Sequence, residues 1–419
     1  MDEKILFPVY RYVIGVLICL STALGVVLIV VPAPLMVTMM EELNIGLALG
    51  GMTVSIVTLA SGISMFTATF IVEKLGIKKT MIIAMLSHVI GTAVSYLAPN
   101  ITILLVGRVF SGIGFGVGGS TVSSIITSWF PAKEKPIIIT INTLAGSVIT
   151  AAFYAIAIPL LTMVGTWKNI FGIFVFISMI MVLAWTFLGR DNKAFNDYMK
   201  AKQSEKDGET NAKVKQQSGF SMAVKSKEVW IIVLYFSLFT IAANAIQTYL
   251  PTYFQLRRGM DAAVAASLTG VISLAGSIGN ISGGVATTAL GRRKLVIVPA
   301  AIVAVLCASG IIMFEQVALL SVLIAIWGFC NPFRSSASQT AIMEVKGVTP
   351  AMAAGGYSMM FGFGNVFGFF SPTILEAATS SWGLQNAMLL FVGVAVIATI
   401  LSFFIKDNGP KGKQKLLSK

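Results

Sequence analysis

Residues 69–79 read TFIVEKLGIKK and residues 284–294 read GVATTALGRRK. Each is the end of an apolar run, then a glycine, then a basic cluster before the next apolar run begins. Gly76 and Gly291 stand 215 residues apart. A second pair of landmarks keeps the same spacing, with WKNIF opening at Trp167 and WGLQN at Trp382. Two independent landmarks at one spacing mark a duplication, with a first half over residues 1–189, a polar connection over 190–227 and a second half over 228–419.

The runs around these landmarks say what was duplicated. A helix needs about 20 apolar residues to cross the hydrocarbon core of a bilayer. Such runs lie at 11–36, 48–72, 80–98, 101–127, 137–164 and 168–189 in the first half. In the second they lie at 229–255, 263–289, 294–314, 317–343, 351–378 and 383–405. The expected fold is an all-α integral membrane protein of twelve transmembrane helices in two six-helix bundles. Composition agrees: 56% of the 419 residues are hydrophobic, only 11% are charged, and the mean hydropathy is +0.87. Soluble domains carry about 25% charge; a charge at the centre of a membrane helix costs about 2.5–3.5 kcal/mol on insertion scales. The 39 glycines suit helices whose backbones approach closely. The first apolar stretch is too long for a cleavable leader and reads as a retained signal anchor.

Charge placement tests the count. With the N-terminus in the cytoplasm, all but five of the 30 Lys and Arg fall on the cytoplasmic side, the five being Arg108, Lys168, Arg257, Arg258 and Arg334. That asymmetry is the positive-inside pattern, and it would collapse with one span miscounted. Both termini are therefore expected in the cytoplasm of a plasma membrane, in style a bacterial inner membrane. The net charge of +13 is explained by a face apposed to anionic lipid and calls for no nucleic acid. Cys19, Cys307 and Cys330 lie inside apolar runs without metal-ligand or CxxC spacing, so no metal or cofactor is expected.

The motifs resemble the major facilitator superfamily. Its signature after the second span, G-x-x-x-D-R-x-G-R-[RK], is approximated by TFIVEKLGIKK with Glu73 at the acidic position, and by GVATTALGRRK with Thr288 there. RVFSGIGFG from Arg108 resembles the family's R-x-x-x-G-x-G-x-G, and WFPAKEK from Trp129 resembles the W-F-P-x-x-E-R of its organic-anion branches, oxalate/formate antiporter-like and anion symporter-like. The resemblance covers the whole chain. It implies two bundles that alternate in access, as such halves do in transporters. It also implies a cytoplasmic gate built on Glu73, Gly76, Lys78, Lys79, Gly291, Arg292 and Arg293, whose acidic member faces a helix N-terminus. The alternative is that these loops only supply topogenic charge.

Two arginines lie within the spans, Arg108 in the fourth and Arg334 in the tenth, and no Asp or Glu lies near the centre of any span. Intramembrane cations normally face a cavity and mark a substrate path, and a guanidinium receives a carboxylate through two parallel hydrogen bonds. An anionic substrate is the expectation. Arg108 either meets that ligand or caps backbone carbonyls. Arg334 sits in NPFRSSASQT, where Pro332 should kink the helix and free carbonyls and Asn331 flanks it. By resemblance, Asn244, Gln247 and Tyr249 on the seventh span, Asn142 and Tyr154 on the fifth, and Tyr357 and Asn365 on the eleventh join the candidate substrate site. His88, the single histidine, is either a proton carrier or a satisfied structural side chain.

The expected function is secondary transport of a small organic anion, a carboxylate, by antiport against a counter-anion or by symport with a proton, in a monomer. Efflux of drugs or hydrophobic metabolites is the runner-up, against which stands the fifth span, LAGSVITAAFYAIAIPLL, without the G-x-x-x-G-P-x-x-G of drug antiporters. A non-transporting sensor would carry an added soluble domain. An enzyme needs paired acid–base groups, an activated nucleophile or metal ligands, and one histidine supplies none of these.

Overall fold

The computed structural model describes residues 8–131, 134–195, 197, 223–345, 350–407 and 409, with the side chains of 66, 69, 70, 73, 136, 350–355 and 358 outside that description. Among the described residues the chain is helical throughout. The helices are α1 (Arg11–Val30), α2 (Pro32–Leu43), α3 (Leu47–Tyr96), α4 (Ile101–Trp129), α5 (Lys135–Val164) and α6 (Trp167–Leu188), then α7 (Lys227–Arg258), α8 (Ala262–Leu290), α9 (Lys294–Met313), α10 (Val317–Met343), α11 (Pro350–Gly368) and α12 (Ser371–Ser402). Eleven stretches among the described residues are long and apolar enough to cross a membrane. α11, 19 residues of apolar and small side chains, supplies most of the remaining expected span. Most of the polar connection at 190–227 lies outside the described residues.

The span edges follow local chemistry. The first span is interrupted at Val31, where Pro32 and Pro34 open α2 without N–H groups to donate backwards. The second and third spans run on as one 50-residue helix, broken at Gly76 with φ 79° and ψ 170°. Only glycine takes that conformation without strain. Its repeat mate Gly291 also has positive φ, 61°, and ends α8. The eleventh span breaks at Phe369 and Phe370, resumes in α12, and ends at Gly383 with φ 78°, where the twelfth begins. Side chains start other helices: Asn100 accepts from the Ile103 N–H at 3.1 Å, and Asp261 accepts from Ala263 and Val264 at 2.9 and 3.2 Å.

The surface is apolar and the interior holds polar groups. Met163 is 83% exposed and Phe187 75%, whereas Arg108, Arg334 and His88 are buried. That distribution suits a surround of hydrocarbon.

The chain groups into two compact units. One comprises the described residues within 1–29, 60–146 and 168–217; the other comprises those within 30–59, 147–167 and 218–419. In the first unit α3 and α4 touch backbone to backbone, since a Cβ on Gly91 would come 2.7 Å from the Gly107 carbonyl and the reverse is equally close. In the second, Gly279 and Gly283 of α8 leave no room for a Cβ against the Phe329 and Phe333 carbonyls of α10. Ser336 of α10 adds a 2.7 Å hydrogen bond to Asn280 Oδ1 of α8. Such an intramembrane bond is worth about 0.6 kcal/mol, so close backbone packing does more than this bond to fix where α10 stands.

Each unit also closes its own basic loop with a carboxylate. The Lys78 backbone N–H donates to Asp191 Oδ1 at 3.1 Å, and the Arg293 N–H donates to Asp407 Oδ1 at 2.8 Å.

Candidate functional site

α7 and α10 bring three side chains of the second unit around one cation. Arg334, 3% exposed, donates from Nη1 to the Tyr235 hydroxyl at 3.4 Å and from Nη2 to Asn331 Oδ1 at 3.2 Å. Its guanidinium carbon lies 3.4 Å from the centre of the Phe239 ring and 5.6 Å from that of Tyr235. Nε is buried and has no hydrogen-bond partner, and no carboxylate pairs with Arg334 among the described residues. Asn331 sits one turn ahead of Arg334 and also donates to the Trp327 carbonyl at 3.0 Å. Pro332 falls inside α10 without ending it.

A guanidinium held in this way has defined chemistry. The aromatic face covers one side of the plane, attracting the cation through the ring quadrupole, a contribution of about 2 kcal/mol when desolvated. The edge that carries Nε remains to receive an oxygen anion. Phe239 on one face and long hydrogen bonds to Tyr235 and Asn331 orient the guanidinium, a single positive charge in apolar surroundings.

The other predicted residues are distributed more widely. Asn244 lies beside Gly368, whose Cβ would come 3.8 Å from Asn244 Nδ2, and Gly364 packs on Thr240, so α7 and α11 meet along these two glycines. Gln247 and Asn365 are half-buried. Tyr357 is 37% exposed, with its ring 4.8 Å from Phe361. Tyr154 is buried against Gly270 of α8. The Tyr249 hydroxyl is engaged elsewhere, donating to the Leu47 carbonyl at 3.3 Å.

In the first unit, Arg108 is fully buried, donates to the Ile29 carbonyl at 2.8 Å and stands 5.8 Å from the Phe171 ring centre. That carbonyl lies two residues before the break at Val31, so the carbonyl-capping alternative has a specific partner. His88 and Asn142 face a cavity of about 90 Å³ lined also by Ser21, Thr22, Met81 and Met85. His88 Nδ1 and Asn142 Oδ1 are both buried without hydrogen-bond partners among the described residues, the circumstance in which ordered water usually completes a polar cavity.

Among the gate residues, the Glu73 side chain lies outside the described residues. Gly76 and Lys78 meet Asp191 through the close approach of Gly76 and the Lys78 N–H. Lys79 is exposed. Gly291 and Arg292 lead into Arg293, which pairs with Glu344 through Nε at 2.8 Å and Nη2 at 2.5 Å, and also donates to the Thr287 carbonyl. Thr288 donates back into its own helix, to Gly284 at 3.0 Å, and caps no helix start among the described residues. The carboxylates at the two helix starts come from Asp191 and Asp407, which sequence reading missed.

The sequence profile described as the Major Facilitator Superfamily matches residues 16–348. Among curated proteins, the chain is 23% identical to the arabinose-proton symporter of Bacillus subtilis over 404 residues, covering 88% of this chain and 85% of that one. It is 21% identical to the hexuronate transporter of the same organism over 376 residues, 86% of each chain. Among solved structures it resembles a D-xylose-proton symporter, with a TM-score of 0.74 at 14% identity over 96% of this chain and 99% of that one.

Proposed function

The chain belongs to the Major Facilitator Superfamily, and from that premise we propose that it carries a small organic anion, a carboxylate, across the membrane by alternating access. As a superfamily member it is a multi-pass membrane transporter of a small molecule and not an enzyme. The observation that carries the anionic reading is Arg334, a buried guanidinium with its Nε unpartnered and no carboxylate beside it among the described residues. An uncompensated buried cation is costly, and a substrate carboxylate would both neutralise it and fill the empty donor. The hexuronate transporter among its relatives carries an acid sugar by name, which supports the same class.

The two sequence halves, 1–189 and 228–419, act as the moving bundles, with residues 190–227 as their cytoplasmic connection and both termini in the cytoplasm, a reading supported by the placement of the basic residues. Anion exchange is the simplest mechanism, since the spans hold no central carboxylate to carry a proton. The monomer is the transporting unit. A second reading, sugar–proton symport, has one observation in its favour, the names of the arabinose and xylose symporters it resembles. Uptake into proteoliposomes separates the two. Hexuronates and other small carboxylates should compete with one another for uptake at fixed pH, and uncharged pentoses should not. Competition by pentoses alone would overturn the anionic reading.

A further inference from the structure

The first turn of α3 is held from two sides. Glu376, half-buried on α12, accepts the Ala48 N–H at 3.2 Å. Tyr249, buried on α7, donates its hydroxyl to the Leu47 carbonyl at 3.3 Å. The first N–H groups of a helix have no partner within it, and the positive end of its dipole favours a carboxylate. Two glycines make the approach possible: a Cβ on Gly46 would collide with the Glu376 carboxylate, and one on Gly51 with the Tyr249 hydroxyl.

These residues come from opposite halves of the sequence, yet all lie in the second compact unit, which takes residues 30–59 and 147–167 together with 218–419. They sit at the end of α3 opposite Gly76, because α3 runs from Leu47 to Gly76 as one continuous span. With the basic loops cytoplasmic, as proposed above, this is the external end. The Ala48 contact is at the long limit for an N–H donor and the Tyr249 contact is longer than a good hydroxyl bond, and water can satisfy each partner once they part. A contact with those properties can be made and broken repeatedly, unlike a dry packed seam.

We infer that Glu376 and Tyr249 are positioning residues of the transport cycle, clasping the first turn of α3 to hold the external end closed and releasing it for that end to open. The word external rests on the orientation proposed above, while the clasp is independent of which solute is carried.

A reporter cysteine tests this without any substrate. Ser55, buried two turns below the clasp on α3, is replaced by cysteine in the full chain, with Cys19, Cys307 and Cys330 changed to alanine. A membrane-impermeant maleimide is then applied from outside. Glu376→Ala and Tyr249→Phe should each label about two- to fivefold faster than the unmodified clasp, the population change expected from losing a helix-end contact. Glu376→Gln, which keeps an acceptor oxygen, should fall between. Hydrogen exchange of the peptide spanning 47–55, measured on the chain with its native cysteines, should accelerate in the same order. Unchanged labelling and exchange in a folded Glu376→Ala/Tyr249→Phe protein would overturn the inference. Faster labelling from the cytoplasmic side alone would overturn the orientation and leave the clasp standing.

Discussion

The Lys78 backbone N–H donates to the carboxylate of Asp191 at 3.1 Å, joining the start of one membrane-spanning segment to the residue just past α6. A like bond recurs in the second half, where Arg293, 215 residues after Lys78, donates its N–H at 2.8 Å to Asp407, 216 residues after Asp191. The duplication visible in sequence is thus repeated in a bond whose donors share a motif position and whose acceptors lie outside the motif. The superfamily signature supplies the turn and its basic cluster. The carboxylate at the helix start comes from the far end of each half.

Removing either carboxylate should loosen its own unit. Asp191→Ala and Asp407→Ala should each lower stability by about 1 kcal/mol, the usual cost of a lost helix cap, with asparagine retaining most of it. The two losses should add, since the sites share no partners. Thermal unfolding in detergent checks this. A double variant no less stable than either single one would contradict it.

Gly76 should resist substitution where Gly393 does not. Alanine at Gly76 must adopt φ 79°, ψ 170°, and its Cβ would come 3.2 Å from the Asp191 carboxylate. A cost of about 1–3 kcal/mol follows from the backbone conformation alone. A Cβ on Gly393, inside α12, would meet no heavy atom within 4 Å, and alanine there should leave stability equal or raised by up to about 1 kcal/mol. Unfolding temperatures of the two variants give the comparison directly.

The ring of Phe239 should matter for affinity more than for turnover. Phe239→Leu keeps an apolar side chain and removes the negative face 3.4 Å from the Arg334 guanidinium. Loss of a desolvated cation–π contact of about 1–2 kcal/mol corresponds to a KM raised about tenfold, with kcat little changed and the effect reversed by Phe239→Trp. Equal KM values for the wild type and Phe239→Leu would remove Phe239 from the site.

Much of the fold was legible because the bilayer makes simple demands. Apolar length, glycine punctuation and the side on which Lys and Arg fall mark the spans, and the Gly76–Gly291 and Trp167–Trp382 spacings show the duplication. What the spacing hid is local: Trp167 is buried, whereas Trp382 is 59% exposed. Arg334 was legible as a cation with nothing to pair it nearby in sequence. Tyr235 and Phe239 were not, since aromatic residues on an apolar helix carry no signal until α7 and α10 are placed together. Tyr249 looked like a site residue by its depth and polarity, but its hydroxyl is held by the Leu47 carbonyl. Asp191, Asp407 and Glu376 escaped notice because their partners are backbone groups, which no residue pattern reveals.

The central claim is that Arg334 receives the anion, and carboxylate exchange in proteoliposomes tests it most directly. Wild-type protein should exchange external labelled carboxylate for internal unlabelled carboxylate. Arg334→Gln should retain the wild-type elution profile and helical content yet lose exchange by about thirtyfold or more, the scale of removing one partner of a buried charge pair at about 2–5 kcal/mol. Full exchange by folded Arg334→Gln would contradict the account.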